Sequence, residues 1–137
     1  MNEVVVQKIV SLQRCVARAR DAWERAGAAR AADIDLHDAA VANGIRARET
    51  AIDLANMLIR ARKLGVPAES RESFAIAVRE GLIGPELGER LARMVGFRIV
   101  AVRQYRELDY RILEAVITRH LDDLLEFAEL VRQAVKD

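Results

Sequence analysis

The chain has 137 residues, with 22 Lys and Arg against 21 Asp and Glu and a formal net charge of +1. This balance excludes a global polyanion-binding signal, and an aromatic content of 4% excludes a base-stacking platform of the single-strand-binding kind. A single cysteine, Cys15, excludes a disulfide framework and a metal–thiolate site, and reads as a small buried hydrophobe on the first helix. The length suits one domain, residues 1–137, with a core that needs no staples. No apolar run approaches the roughly 18–20 residues of a membrane span, so no membrane association is expected. The start, Met1 to Lys8, lacks a basic segment followed by an apolar one, and the expected location is cytoplasmic and reducing.

Seven glycines and two prolines leave long stretches for helices. From Glu3 to Arg25, Val6, Ile9, Val10, Leu12, Val16, Ala17 and Trp23 recur at helical spacing, and Gly27 marks the exit. Asp33 is a candidate N-cap for a second helix over Ile34 to Lys63, with Ile45, Ile52, Ala55 and Ile59 on one face. Gly65 to Pro67 ends it. A short third helix begins at Ser70, and the chain breaks again between Gly81 and Pro85. Pro85 suits the first turn of a fourth helix, with Glu86 and Glu89 near its positive end, predicted to run to Tyr105. A last helix is predicted over Tyr110 to Val135. No alternating strand pattern and no internal repeat is present. The pattern predicts an all-α, up-down helical bundle of four long helices plus one short helix.

The sequence holds no phosphate loop, nucleophile elbow, His-Glu-x-x-His, paired-Cys spacing or calcium loop. Its two histidines, His37 and His120, lack a second ligand at helical spacing. Asp122 and Asp123 follow His120 but are expected to face other directions, so no metal and no cofactor is expected. The electrostatic exception is the segment Arg90 to Arg111. Arg90, Arg93, Arg98, Arg103, Arg106 and Arg111 stand there against Glu107 and Asp109. Clustered guanidiniums are the footprint of phosphodiester contact, and a solvated basic face is the bland alternative.

Arg98 is the odd member of that cluster. On a wheel of about 100° per residue it lies at the centre of an apolar stripe, with Leu91, Met94, Val102 and Tyr105 all within about 40° of it. A guanidinium there needs a partner. Either Glu49 or Asp53 of the second helix, flanked by Asn56, neutralises it, or it lines a cleft where an anion arrives. Tyr105 sits about 10 Å further along the same stripe, as a packed phenol or as one presented for modification.

The run Met94-Val-Gly-Phe-Arg98 followed by Tyr105 resembles the HepT-like branch of the HEPN superfamily. The segments Ala51-Ile-Asp-Leu-Ala-Asn56, Glu69-Ser-Arg-Glu-Ser-Phe74 and Glu80-Gly-Leu-Ile-Gly-Pro85 carry the likeness over nearly the whole chain. The resemblance implies a helical bundle that forms a homodimer, pairing two Arg-x(4–6)-His motifs in a composite cleft that cuts RNA without a metal. It also implies a toxin–antitoxin pair, in which an MntA-like minimal nucleotidyltransferase silences the toxin by adding AMP to the motif tyrosine. Carried over, Arg98 matches the catalytic arginine, Val102 the motif valine and Tyr105 the modified tyrosine. Arg93 and Arg106 of the same basic cluster are the candidates for further RNA phosphate contacts.

Two positions depart from the family pattern. Ile99 stands where asparagine is usual, and Arg103 stands where the catalytic histidine is usual. Cleavage through the ribose 2′-hydroxyl needs a group that moves protons near neutral pH, which histidine does and arginine, with a pKa above about 12, does not. Arg103 can still bind phosphate and stabilise transition-state charge. On a straight helix Arg103 also falls about 140° from Arg98, so a site using both needs a helix break near Val102 or a second subunit. Three functions are therefore in competition. One is a HepT-type endoribonuclease with impaired chemistry. Another is a non-catalytic HEPN subunit that dimerises and binds its nucleotidyltransferase partner without cutting RNA. The last is a structural helical adaptor.

Overall fold

The computed structural model describes residues 3–27, 33–96 and 107–136. Its helices are α1 (Glu3–Ala26), α2 (Ile34–Ala61), α3 (Ser70–Arg79), α4 (Pro85–Gly96), α5 (Glu107–Ala115) and α6 (Leu121–Lys136), with a π-helical turn at Val116–His120 joining the last two. No strand occurs among the described residues.

The apolar spacing of α1 becomes a buried face: Val5, Ile9, Leu12, Val16, Ala19 and Trp23 all point inward, and Cys15 lies with them. Val6 and Val10, read as part of the same pattern, are on the solvent side. The two long helices α1 and α2 form the most extensive pairing in the molecule. Both helices bury small residues, Ala19 and Ala22 on α1 and Ala40, Ala47, Ala51 and Ala55 on α2, and side chains of that size permit close approach of paired helices. The helix α2 opens as the sequence implies, with Asp33 accepting the Leu36 N–H at 3.1 Å. Such a cap contributes about 1 kcal/mol. Its end comes at Ala61, two residues early, because Lys63 turns into the left-handed region at φ 55°.

The short α3 packs against α2 and α4. Ser73, fully buried on α3, donates its hydroxyl to Asn56 Oδ1 of α2 at 2.6 Å. Ser73→Ala would leave that amide oxygen without its donor, and is expected to destabilise the fold by about 1–3 kcal/mol. Thermal denaturation followed by circular dichroism checks this. At the next contact α3 and α4 nearly touch: a Cβ on Gly88 would meet Val78 Cγ2 at 2.2 Å. Gly81, between these helices, holds φ +73°, a conformation that only glycine adopts without strain.

The predicted single last helix needs two corrections. It is already helical at Glu107, ahead of the expected start at Tyr110, and the π turn at Val116–His120 interrupts it. The turn coincides with a long-range contact: Arg20 of α1 donates its Nε–H to the Ile117 carbonyl at 3.0 Å. A π turn widens the helix and exposes carbonyls to outside donors, and a guanidinium from the first helix takes one. Beyond it, Leu121, Leu124, Phe127, Ala128 and Val131 line the core, with Phe127 edge-on to Phe74 of α3 at a centroid distance of 5.3 Å.

Candidate functional site

The helix α4 carries the chain toward the arginine-rich segment. Leu91, Met94 and Val95 are buried, so the apolar stripe inferred around Arg98 is real up to Val95. Arg98, Arg103, Tyr105 and Arg106 lie outside the described residues. So does the part of the fourth helix predicted beyond Gly96. Arg93 is described: it stays at the surface, 74% exposed, and pairs with Glu89 one turn back at 2.7 Å. An exposed pair of this kind contributes at most about 1 kcal/mol, so Arg93 can exchange Glu89 for another anion at little cost.

Arg90 is tied down more firmly. Its Nε–H donates to Asp123 at 3.0 Å, and Glu126 lies 3.7 Å from its other end. The hydrogen bond to Asp123 pushes the already high pKa of Arg90 further up. Arg90 therefore joins α4 to α6, and its charge is balanced by acids; part of the arginine excess read from the sequence is spent inside the fold. Asp123 is itself buried, and its second oxygen lies 4.0 Å from His120 Nδ1. This corrects the expectation that His120 and Asp123 face apart. The residues are three apart where the π turn passes into α6, and the imidazole remains half exposed. His37 is buried in α2. Among the described residues no group of three His, Cys, Asp or Glu side chains is placed to hold a metal ion. No described helix is long and apolar enough to cross a membrane.

Whether Glu49 or Asp53 meets Arg98 lies outside the described residues. Among the described residues Glu49 accepts from Arg48 at 3.0 Å and Asp53 from Lys8 at 3.2 Å, and the nearby amide of Asn56 accepts from Ser73. Arg48 is the residue that sequence reasoning missed. Its side chain is 18% exposed, and Nη2–H donates to the Val95 carbonyl in the last turn of α4 at 2.7 Å. A partner 47 residues away leaves no local signal that periodicity could detect.

Comparison with known proteins is decisive at this point. The model of the family described as Ribonuclease HepT-like matches residues 12–131. The chain belongs to that family. The matched stretch includes every arginine of the cluster and Tyr105. Among relatives of this HepT-like chain, an mRNA nuclease HepT of Shewanella oneidensis is 34% identical over 132 residues, covering 96% of this chain and 98% of that one. Among solved structures, the tri-AMPylated HEPN toxin of Shewanella oneidensis in complex with MNT antitoxin superposes with a TM-score of 0.85 at 33% identity, covering 97% of this chain and 99% of that one. A toxin–antitoxin crystallised with AMP-PNP superposes with a TM-score of 0.86 at 32% identity, over 96% and 98% of the two chains. The all-α bundle and the HepT-like resemblance expected from the sequence both hold.

Proposed function

We propose that this chain is a single HepT-like domain and the toxin of a HepT/MntA-type toxin–antitoxin pair, built on a metal-free endoribonuclease scaffold that acts on RNA in the cytoplasm. The observation that carries this reading is the likeness to an mRNA nuclease HepT and to an AMPylated HEPN toxin with its antitoxin, over nearly the full length of each. In this reading two copies form a homodimer, and Arg98 of each binds the scissile phosphate in the shared cleft. A guanidinium suits that task because its planar fork meets two phosphate oxygens at once. Arg93, loosely paired at the surface, and Arg106 extend the contact along the RNA backbone. No cofactor is required, because the 2′-hydroxyl of the RNA is the nucleophile.

Arg103 limits the chemistry. It holds charge on the transition state but moves no proton, so cleavage is slow. The same substitution favours a second reading, a non-catalytic HEPN subunit that keeps the dimer and the nucleotidyltransferase partner without cutting RNA. In both readings Tyr105 is the residue that the partner modifies. With a cognate minimal nucleotidyltransferase and ATP, the chain is expected to gain the mass of AMP on Tyr105, and Tyr105→Phe is expected to gain none. Peptide mass spectrometry locates the adduct; finding it on another residue would refute the assignment.

A further inference from the structure

The apolar pattern at the end of the chain does not itself call for a π turn. On a straight helix of about 100° per residue, Val116, Ile117, Leu121, Leu124 and Phe127 all fall within about 80° of Leu113. All six are buried. A continuous α-helix would keep them on one face, yet the helix widens at Val116–His120.

The widening changes one backbone partner. In an α-helix the Leu121 N–H donates to the carbonyl four residues back, which is that of Ile117. Here it points instead to the carbonyls of Val116 and Arg119. Ile117 is fully buried, so its carbonyl is costly to leave without a donor. Arg20 of α1 supplies one: its Nε–H reaches the Ile117 carbonyl at 3.0 Å. Its Nη2 lies 2.9 Å from Asp122, in the first turn of α6. One guanidinium from the first helix therefore spans the turn, taking the released carbonyl on one side and a carboxylate just beyond it on the other. A side chain that enters the ladder in this way is a recognised cause of a local break in a helix.

There is room for this joint to change. A cavity of about 380 Å³ opens beside it, lined by Arg20, Trp23, Ile117 and Thr118. Thr118, Arg119 and His120 are exposed, so they hold no place in the core. Thr118 donates its hydroxyl to the Glu114 carbonyl four residues back, a contact that a continuous helix also allows.

We propose that Arg20 is the latch of a two-register C-terminal helix: its guanidinium holds the π turn, and without it residues 107–136 straighten into one α-helix. Straightening returns the Leu121 N–H to the Ile117 carbonyl. It also turns α5 by about 100° relative to α6, the rotation of one residue. The junction between α5 and α6 is thus a conformational device set from α1.

Crystal structures of the natural chain and of Arg20→Met test this. Methionine keeps an unbranched stem in the same place and donates no hydrogen bond. In the natural chain the Leu121 nitrogen is expected to face the Val116 carbonyl. In Arg20→Met it is expected to lie about 3 Å from the Ile117 oxygen, with α-helical backbone from Val116 to His120. Arg20→Leu serves if the methionine variant fails to fold, with the same result expected. A π turn retained in the variant, with Leu121 still directed at Val116, would overturn the latch. So would a natural chain in which Leu121 already bonds to Ile117.

Discussion

Replacing Arg103 by histidine is expected to raise RNA cleavage by about 10²–10⁴-fold, the usual contribution of a positioned acid–base group. The gain depends on proton transfer alone. A guanidinium is always charged and an imidazole is mostly neutral near pH 7, so the substitution gives up some phosphate affinity while adding a proton carrier. Only the imidazole exchanges a proton near neutral pH. The gain should therefore fall on the turnover number, with RNA affinity equal to or below that of the natural chain. It should also bring a pH dependence in the range where histidine titrates, absent from the natural chain. His120 is the alternative source of an imidazole, since Asp123 lies beside it. If the natural chain cuts RNA as fast as Arg103→His, and His120→Ala abolishes that activity, then the missing motif histidine has been replaced from elsewhere in the fold. Time courses with purified protein, free of antitoxin, separate these outcomes.

Phe127→Ala is expected to destabilise the protein by about 3–5 kcal/mol, through lost burial and the cavity that remains. Phe127 is fully buried and meets Phe74 edge-on at 5.3 Å with the rings 75° apart. This is the electrostatically favoured arrangement of two aromatic rings. The pair joins α6 to the short α3. A helix of ten residues is marginal alone and owes its stability to packing. Truncating Phe127 therefore loosens α3 along with the core it leaves. Chemical denaturation gives the magnitude, and hydrogen exchange should show the amides of α3 losing protection first.

Much of this architecture is local and so was legible in the sequence. The Asp33 cap, the Pro85 helix start and the buried face of α1 each follow from neighbouring residues and a repeat of 3.6. What escaped was set by distant partners. The π turn at Val116–His120 is met by Arg20, 97 residues away from Ile117. Arg90, read as part of a phosphate-binding cluster, is held by Asp123 and Glu126 of α6. Arg48, which carried no local signal, holds the Val95 carbonyl 47 residues away. In each case the residue type was visible and its partner was not, because a charged side chain on a helix has several neighbours within reach and the pattern does not rank them. The candidate site rests on motif likeness: the family match spans Arg98, Arg103 and Tyr105, whose structure lies outside the described residues.

RNA binding and cleavage by the purified chain beside Arg98→Ala, at matched salt and without antitoxin, is the measurement that decides whether this HepT-like fold works on RNA through its motif arginine. Binding by the natural chain that is lost in Arg98→Ala, with the melting temperature of the variant unchanged or higher, is the expected result. Equal RNA affinity in the two proteins would contradict it and would leave the arginines of this bundle as partners for acids alone.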